Sequence, residues 1–241
     1  MSFREQMRFY FRAWRYRWKL DPAEIRFLLR QLRPGNTTVD IGAHKGAYTY
    51  WMQKAVGPTG RVFSFEPQPQ LAEYLKRVKD ALRMANVTVE NAGVSSTSGT
   101  MQLMVPGHGP SPGGTLEPGL IQGERLTYPV RIVTLDEYFQ QHPAGNLRLV
   151  KCDVEGHELE VFRGAGHILK THRPALLFEC EERHHHRYKS QDVFAHLAAL
   201  GYTGCFFSRT GLRPLAEFRP DEHGDVRGAN YVNNFVFWVP S

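Results

Sequence analysis

Residues 38–48 (TVDIGAHKGAY) combine the end of an apolar strand, a glycine turn and the start of a helix, and a second apolar strand ends in Glu66. A dinucleotide-binding turn has the spacing Gly-x-Gly-x-x-Gly. Counted from Gly42, that spacing requires glycine at two positions that are occupied by His44 and Ala47. The actual spacing, Asp-x-Gly-x-x-x-Gly, favours S-adenosylmethionine, which has no pyrophosphate that needs the N-terminus of a helix.

The order of the predicted elements constrains the fold further. Strands and helices alternate over residues 38–93 and again over 147–200, a pattern typical of a parallel sheet with helices on both faces. Two final strands, at 202–208 and 234–239, have no long helix between them, which predicts an antiparallel hairpin at the sheet edge. We therefore expect an α/β protein with the Rossmann-like fold of class I methyltransferases, built on a seven-stranded, mostly parallel sheet.

The chain is expected to have two parts, a basic, aromatic helical extension at residues 1–36 and a methyltransferase domain at 37–241. The alternation is interrupted at about 96–146, where two strands that flank a glycine- and proline-rich loop predict an inserted hairpin. That loop, at 106–119, is long for a loop within a domain, and such loops are usually lids, binding loops or mobile segments. A lid or acceptor-binding loop and a plain mobile loop both remain open.

The basic charge of the chain is concentrated in its first residues. The chain carries 30 lysine and arginine residues against 24 aspartate and glutamate residues, a formal charge of +6. Residues 1–20 contain six of the basic residues and one acid, Glu5, so they contribute +5 and leave the remainder near neutral. A chain body without a basic excess lacks the composition of a nucleic-acid-binding protein, so nucleic acid is not an expected partner.

Residues 3–20 predict an amphipathic helix, because their apolar positions follow the i, i+3, i+4, i+7 rule and are flanked by a basic stripe. The apolar positions are Met7, Tyr10, Phe11, Trp14 and Trp18. This helix could pack over the domain or its acceptor cleft. It could instead contact an anionic membrane surface or an acidic partner, or bind nucleic acid.

The cysteines and the lack of long apolar runs bear on the compartment. The three cysteines give no paired framework, and Cys152 and Cys180 lie in apolar runs, which predicts buried thiols in a reducing compartment. The chain has no run of about 18 apolar residues, and its first residues lack the apolar core of a signal peptide. We therefore expect a cytoplasmic protein, or one that is peripheral at the inner membrane surface.

Ligands of open parallel sheets bind beyond the carboxyl ends of the strands, so the residues at those ends are the candidates for a site. Gly42 and Gly46 would let the backbone approach the methionine part of the cofactor, and Glu66 could accept two hydrogen bonds from the ribose diol. The residues after the second and third strands would border the adenine. The alternatives are ordinary turn glycines and an ordinary strand-end carboxylate. The predicted cofactor contacts are Asp40, Gly42, Ala43, His44, Gly46, Glu66, Pro67, Asn91, Ala92 and Asp153.

Asp153, Glu155 and His157 directly follow a predicted strand and are the predicted catalytic residues. A carboxylate near the sulfonium is favourable by charge, and a carboxylate or imidazole that reaches an acceptor hydroxyl can act as general base. Methyl transfer depends on in-line alignment, and an alcohol also has to lose its proton, so acids and a histidine favour oxygen as the acceptor atom. The alternative is that Asp153 or Glu155 only caps the following helix.

The histidines at 184–186, with Glu181 and Glu182 before them, could suggest a metal site. Three consecutive histidines cannot all point the same way, so a solvated loop is the better interpretation. We therefore predict no metal site.

Several runs of the sequence resemble the FkbM-type S-adenosylmethionine-dependent methyltransferases. The most specific is VKCDVEGHELEVFRGA (150–165); the others are VDIGAHKGAYT (39–49), FSFEPQP (63–69), NAGVSSTSGT (91–100), VTLDEY (133–138), LLFECE (176–181) and NFVFWVP (234–240). The resemblance implies O-methylation of hydroxyls on sugars, glycolipids, polyketides or related small molecules. It also implies cofactor contacts at the first glycine turn and at Glu66, and a cleft near residues 153–157. One departure is His44, where the family commonly has asparagine.

The leading hypothesis is transfer of a methyl group from S-adenosylmethionine to a hydroxyl of a glycan, glycolipid or other small-molecule acceptor. One alternative is methylation of RNA, which would need a basic cleft. The other is a non-enzymatic scaffold at a membrane surface that retains a cofactor pocket as a relic. A relic has no chemical reason to keep its set of carboxylates. The sequence indicates neither the identity of the acceptor nor the oligomeric state.

Overall fold

The computed structural model describes residues 1–184 and 187–240, which form an α/β fold. Its strands are β1 (Thr37–Ile41), β2 (Arg61–Phe65), β3 (Val87–Glu90), β4 (Gly93–Val94), β5 (Gly99–Pro106), β6 (Arg125–Val133), β7 (Leu147–Cys152), β8 (Ala175–Glu179), β9 (Thr203–Ser208), β10 (Gly211–Pro214) and β11 (Asn234–Trp238). Within the described residues, the central sheet has the order β10-β9-β11-β8-β7-β1-β2-β3. The strands β3, β2, β1, β7 and β8 are parallel, as the alternating pattern predicts.

The edge of the sheet differs from the prediction by one strand. The two final predicted strands do pair antiparallel as β9 and β11, and β11 also pairs antiparallel with β8. A short strand, β10, extends this edge by pairing with β9, so the described sheet has eight strands rather than seven. Strand β10 is a four-residue segment that begins with glycine, ends with proline and is fully exposed, so it has no apolar alternation that could have predicted it.

Helices cover both faces of the sheet. They are α1 (Phe3–Arg15), α2 (Pro22–Gln31), α3 (Ala47–Val56), α4 (Pro69–Ala81), α5 (Leu135–Gln141), α6 (Glu158–Arg163), α7 (Gly166–His172), α8 (Ser190–Ala199) and α9 (Pro220–His223). Side chains of α1 to α4 share one buried cluster, and side chains of α5 to α8 share another on the opposite face. In β11, Phe235 and Phe237 belong to the second cluster, whereas Val236 between them belongs to the first. This alternation is the two-residue period of a strand buried on both sides.

The helices depart from the sequence pattern at three places. The pattern predicts one helix at 70–86 and another at about 158–169. The first ends at Ala81, and Arg83 then takes a left-handed backbone with φ 52°; the second is broken into α6 and α7 around Gly164. The unpredicted helix α5 begins after Thr134, whose hydroxyl accepts a hydrogen bond from the amide of Glu137, which is the usual N-cap of a helix.

The N-terminal extension is part of the core on one face of the sheet. Phe9 and Ala13 of α1 and Leu28 of α2 are fully buried. They share the buried cluster of α3 and α4. A π-helical turn, Tyr16–Leu20, connects α1 to α2. No helix in the described part of the chain combines the length and the apolar character that a bilayer-spanning helix needs.

The inserted hairpin is present as predicted. Strands β5 and β6 pair antiparallel from Gly99 opposite Ile132 to Pro106 opposite Arg125. The short strand β4 adds a parallel third strand beside β6. This small sheet has its own buried cluster, which includes Leu103 and Val105. The glycine- and proline-rich loop therefore starts from a rigid base.

Candidate cofactor and acceptor site

A single cavity lies beyond the carboxyl ends of β1, β2, β7 and β8, with the inserted loop and the N-terminal segment at its rim. Seven of the ten predicted cofactor contacts line it: Gly42, Ala43, His44, Glu66, Pro67, Ala92 and Asp153. Two of the three predicted catalytic residues, Asp153 and Glu155, also line it. The sheet therefore brings together the two groups of residues that the sequence analysis treated separately.

The first glycine turn packs tightly against the ends of two neighbouring strands. The amides of Gly42 and Ala43 both donate to the carbonyl oxygen of Phe65, at 3.0 Å each. Gly42 has φ 75°, and a Cβ atom at this position would lie 1.8 Å from the carbonyl oxygen of Asp153. Only glycine fits such an approach, so residue 42 sets the distance between the turn and the end of β7.

Glu66 is held at the end of β2 by two backbone amides. Its Oε2 accepts from the amide of His44 at 2.7 Å, and its Oε1 accepts from the amide of Gln68 at 2.9 Å. Its side chain is buried, and burial raises its pKa to about 7. Each carboxylate oxygen keeps a second lone pair, so Glu66 fits the ribose diol of an adenosine ligand.

Three predicted cofactor contacts lie behind the cavity wall. Asp40 is fully buried beneath the turn, where its Oδ2 accepts from the hydroxyl of Thr49 at 2.6 Å. Val39 and Ile41, the neighbours of Asp40 in the strand, point to one face of the sheet. The side chain of Asp40 therefore points to the opposite face, which α3 covers. Asn91 donates from Nδ2 to the carbonyl oxygens of Glu66 and Pro67, at 2.9 and 3.1 Å.

The third of these residues, Gly46, begins α3 with φ 77°, and a Cβ there would meet the side chain of Leu75 at 2.4 Å. Its lack of a side chain therefore serves packing between α3 and α4. Asp40, Gly46 and Asn91 thus support the turn and the end of β2 from behind, and the cofactor contacts predicted for them stay a prediction.

A buried lysine that the sequence analysis missed links the two halves of the cavity. Lys151 Nζ lies 3.0 Å from Asp153 Oδ2 and 3.9 Å from Asp40 Oδ1. It also stands 4.7 Å from the ring centre of Tyr48. Burial opposes its charged form, but the charges of Asp153 and Asp40 outweigh burial and raise its pKa. The sequence signal that could have identified Lys151 is a lysine near the end of an apolar strand, two residues before an aspartate.

The acceptor side of the cavity is rich in carboxyl groups. Glu155, Asp153 and Glu179 line it together. Burial is the main cause that raises the pKa of Glu155. Burial, followed by the charge of Asp153 and a hydrogen bond with Glu181, raises the pKa of Glu179 well above its usual range.

His184 lies in this acidic region rather than in a solvated loop. A short 3₁₀ turn, Glu182–His184, follows β8 and places His184 Nδ1 at 3.0 Å from Glu155 Oε2. Burial opposes the charged form of His184, but the hydrogen bond and charge of Glu155 outweigh it and raise its pKa. The solvated-loop interpretation is therefore wrong for His184, while the histidines at 185 and 186 lie outside the described residues. Over residues 1–184 and 187–240, no group of three or more side chains has the arrangement of a metal site.

His157 does not reach the cavity, which corrects its assignment as a catalytic residue. It is buried with 1% exposure. Its Nδ1 pairs with Glu117 Oε1 at 2.5 Å and its Nε2 with Ser95 Oγ at 2.9 Å. Both partners come from the inserted segment, so His157 is a positioning residue that fastens this segment to the start of α6.

The inserted loop lies across the cavity. Pro112, Gly114 and Leu116 line the cavity wall. Gln68 exchanges two hydrogen bonds with the backbone of Ser111, at 2.8 and 3.1 Å. The hydroxyl of Thr115 donates to the carbonyl oxygen of Glu155 at 2.7 Å. The loop therefore covers part of the cavity, and its role as a lid or acceptor-binding loop stays a prediction.

Arg12, Tyr16, His44 and Lys45 line both the cavity and an outer groove beside α1, and we call this junction the mouth of the cavity. His44 has a left-handed backbone with φ 47°, and its Nε2 finds no hydrogen-bond partner among the described residues. Burial, with Lys45 and Arg12 nearby, lowers its pKa to about 4. His44 is thus a neutral imidazole at the junction between the turn and the N-terminal helix.

Comparison with known proteins places this site in a family. The model of the methyltransferase FkbM domain matches residues 40–203, which is more than half of the chain. Hexuronic acid methyltransferase AglP of Haloferax volcanii is 27% identical over 147 residues, covering 61% of this chain and 57% of AglP. The tRNA (adenine-N1)-methyltransferase TrmI of Methanocaldococcus jannaschii is 33% identical over 70 residues, covering 28% of this chain and 24% of TrmI.

Among solved structures, methyltransferase FkbM from Methylobacillus flagellatus KT superposes with a TM-score of 0.53 at 16% identity. The superposition covers 89% of this chain and 50% of that protein, so it confirms the class I methyltransferase fold. The chain spans little more than half the length of AglP and about half of the solved FkbM protein. Together with the family model, the shared fold leads to one conclusion: this chain belongs to the FkbM methyltransferase family.

Proposed function

We propose that this chain transfers a methyl group from S-adenosylmethionine to a hydroxyl of a sugar or a related small-molecule acceptor. One observation carries the proposal: a single cavity joins a backbone turn and Glu66 on one side to Asp153 and Glu155 on the other. On the first side, Glu66 would bind the ribose of the adenosine and the backbone of the turn would approach the methionine part of the cofactor. The second side has carboxylates where an acceptor would meet the methyl group.

Bound S-adenosylmethionine would supply an electrophilic methyl group attached to a positively charged sulfur. Asp153 directly follows β7 and touches the turn through its backbone, so its carboxylate would lie near that positive charge. Lys151 holds the Asp153 carboxylate in one orientation at 3.0 Å. We therefore assign cofactor orientation to Asp153.

Glu155 is the better candidate for the general base. Burial raises its pKa, which brings its proton affinity closer to that needed for a hydroxyl proton at neutral pH. Its Oε2 contacts His184 at 3.0 Å, so the imidazole would orient the carboxylate. As the acceptor oxygen bonds to the methyl carbon and the sulfur–carbon bond breaks, Glu155 would take the hydroxyl proton.

The choice of a sugar acceptor is supported by AglP, whose name states that it methylates a hexuronic acid. Carboxyl groups such as those of Glu155 and Glu179 are groups that hydrogen-bond hydroxyls. The RNA alternative receives no comparable support, because the similarity to TrmI covers 24% of that enzyme. The cavity wall carries the cations Arg12, Lys45 and Lys151 beside the carboxyl groups of Glu66, Asp153, Glu155 and Glu179, which is not the positive lining that a nucleic acid requires.

The test is methyl transfer from ¹³C-methyl-labelled S-adenosylmethionine to a panel of glycosides of hexuronic acids and neutral hexoses, with tRNA as a separate acceptor. We expect an O-methyl signal on at least one glycoside and none with Glu155→Gln. Methylation of tRNA alone, or of no glycoside by protein that binds S-adenosylhomocysteine, would contradict a sugar acceptor.

A further inference from the structure

The N-terminal helix leaves four of its five predicted apolar residues exposed, and the fifth, Tyr10, is half-buried against the core. Phe9 and Ala13 face the core, and the indole Nε1 of Trp51 donates to the carbonyl oxygen of Ala13 at 2.8 Å. Phe3, Phe11 and Trp18 are 75%, 72% and 68% exposed. The helix therefore packs over the domain, one of the alternatives predicted for it, but mainly through Phe9 and Ala13 rather than through most of the predicted stripe.

Every exposed side chain between residues 3 and 20 is apolar or basic. The apolar ones are Phe3, Met7, Phe11, Trp14, Trp18 and Leu20. The basic ones are Arg4, Arg8, Arg15 and Lys19. The one acid, Glu5, turns back to cap the helix with Ser2. We call these ten exposed residues the α1 face.

The α1 face has the layout of a helix that lies in a membrane interface. Phe3, Met7 and Phe11 follow one another at intervals of four residues, and Arg4 and Arg8 stand one position further along. At about 100° per residue, this spacing sets a basic stripe beside an apolar stripe. Interfacial helices combine such stripes, with the apolar side chains in the acyl boundary and the cations on anionic headgroups.

The tryptophans of the α1 face are held in place before any partner binds. Trp14 and Trp18 stack with ring centres 6.2 Å apart. The guanidinium of Arg17 lies 5.5 Å from the ring centre of Trp14, 5.4 Å from that of Trp18 and 4.4 Å from that of Trp51. Tryptophan is enriched where one side of a residue is apolar and the other is wet, so this rigid pair is positioned to anchor at such a boundary.

The α1 face is continuous with the mouth of the cavity. A groove lined by Met7 and Phe11 also contains Arg12, Tyr16, His44 and Lys45, and the last four also line the central cavity. A flat surface that covers the α1 face would therefore meet the cavity at its mouth.

We propose that the α1 face docks on an anionic lipid bilayer and places the mouth of the cavity at the headgroup level. The charge supports a bilayer, because residues 1–20 carry +5 of the formal +6 of the chain. Met7 and Leu20 favour acyl chains over nucleic-acid bases, since binding of single strands relies on aromatic stacking. The docking itself does not depend on the proposed reaction. The consequence that the acceptor hydroxyl belongs to a glycolipid or lipid-linked glycan does rest on the proposed function.

The test is flotation of the full chain with vesicles of phosphatidylcholine alone or with about one third phosphatidylglycerol, at about 0.15 M salt. We expect flotation with the anionic vesicles and little with the neutral ones. The variant Phe11→Ser/Trp18→Ser should bind the anionic vesicles at least about tenfold more weakly. The variant Arg4→Gln/Arg8→Gln should lose most of the preference for anionic lipid. The matched control, Leu212→Ser/Val226→Ser, removes two exposed apolar side chains elsewhere and should float like wild type.

Calorimetry with S-adenosylhomocysteine on the same variants separates membrane docking from cofactor binding, because the affinity for this ligand should be unchanged in all of them. Wild-type protein that stays unbound with anionic vesicles would overturn the docking proposal and leave the proposed function standing. Light scattering that shows a dimer broken by Phe11→Ser/Trp18→Ser would assign the α1 face to a second copy of the chain. Tight, salt-sensitive tRNA binding that is lost with Arg4→Gln/Arg8→Gln would assign it to nucleic acid. Either result would also overturn the proposal.

Discussion

The two sides of the cavity are built in different ways. The cofactor side consists of the turn at residues 42–46 and the end of β2, which hold each other through backbone amides and the carboxylate of Glu66. The acceptor side combines the ends of β7 and β8, the inserted loop and the N-terminal helix, and its side chains hold one another. The first is therefore a local, backbone-determined structure, and the second exists only after the whole chain has folded.

The largest effect is expected where the two sides touch. Gly42→Ala would place a Cβ atom 1.8 Å from the carbonyl oxygen of Asp153, in a left-handed backbone at φ 75°. We expect a loss of about 3 kcal/mol or more in the free energy of unfolding and no measurable binding of S-adenosylhomocysteine. Urea unfolding and calorimetry check this.

Gly119→Ala is the matched control for that variant, because Gly119 has φ 85° and open space around it. Its free energy of unfolding should fall by about 1 kcal/mol, which is the effect of backbone strain alone. Equal effects of the two variants would show that backbone strain, and not the contact with Asp153, explains Gly42.

The second expected effect separates cofactor binding from chemistry. Glu155→Gln keeps the shape of the side chain but cannot take a proton, so turnover should fall by about 10²- to 10⁴-fold. The affinity for S-adenosylhomocysteine should change little, because Glu155 lies on the acceptor side. Steady-state rates and calorimetry measure the two quantities. Unchanged turnover would remove Glu155 from the reaction.

The third effect tests the positioning assignment of His157. His157→Ala removes the 2.5 Å partner of the buried Glu117 carboxylate and leaves it the more distant Arg187, at 3.8 Å, which should cost about 3 kcal/mol of stability. The loss should be smaller in the double variant with Glu117→Gln, because the poorly compensated buried charge is gone. A stable His157→Ala protein whose turnover falls as far as that of Glu155→Gln would restore His157 as a catalytic residue.

The smallest effect is a pH dependence on the cofactor side. Burial raises the pKa of Glu66 to about 7, and the ionised form is needed to accept from both ribose hydroxyls. Affinity for S-adenosylhomocysteine should therefore fall as the pH drops through about 7, by at most about tenfold per pH unit. Glu66→Gln should bind weakly with a flat profile, whereas a profile like that of wild type would exclude Glu66 as its origin.

The raised pKa of Glu66 gives the stability of the fold the opposite dependence on pH from the affinity for the ligand. The folded pKa of Glu66 lies above its unfolded value of 4.5, so the folded protein binds this proton more tightly. Its contribution to stability is present at acidic pH and is lost as the pH rises through about 7. Thermal unfolding of Glu66→Gln should therefore depend less on pH than that of wild type.

This contrast also explains which parts of the site could be predicted. The positions of Gly42 and Glu66 follow from spacing within one strand–turn–helix–strand unit, where local pattern and structure coincide. His184 contacts Glu155, and Arg12 lines the cavity, both from segments far away in the chain, and nothing in their local sequence indicates these contacts. His157 was misassigned for the same reason, because its partners Glu117 and Ser95 lie in the inserted segment.

The helices show the limit of pattern in another way. The periodicity of residues 3–20 predicted a helix, and α1 formed, but the pattern contained two apolar faces and could not say which one would be buried. The exposed apolar face of α1 has more residues than the buried face. Nevertheless, Phe9 and Ala13 of the buried face are the ones that pack in the cluster with α3. The buried face is the one that meets α3, where Trp51 donates to the carbonyl oxygen of Ala13 at 2.8 Å.

In the proposed enzyme, one cavity holds the cofactor on the Glu66 side and the reacting hydroxyl on the Glu155 side. Calorimetric titration of S-adenosylhomocysteine into wild type, Glu66→Ala and Glu155→Gln distinguishes these two sides. Glu66→Ala should lose at least about tenfold in affinity, the loss of one or two hydrogen bonds to a charged group, while Glu155→Gln should bind like wild type. Wild-type affinity in Glu66→Ala, or a loss of affinity in Glu155→Gln alone, would disprove this division of the cavity.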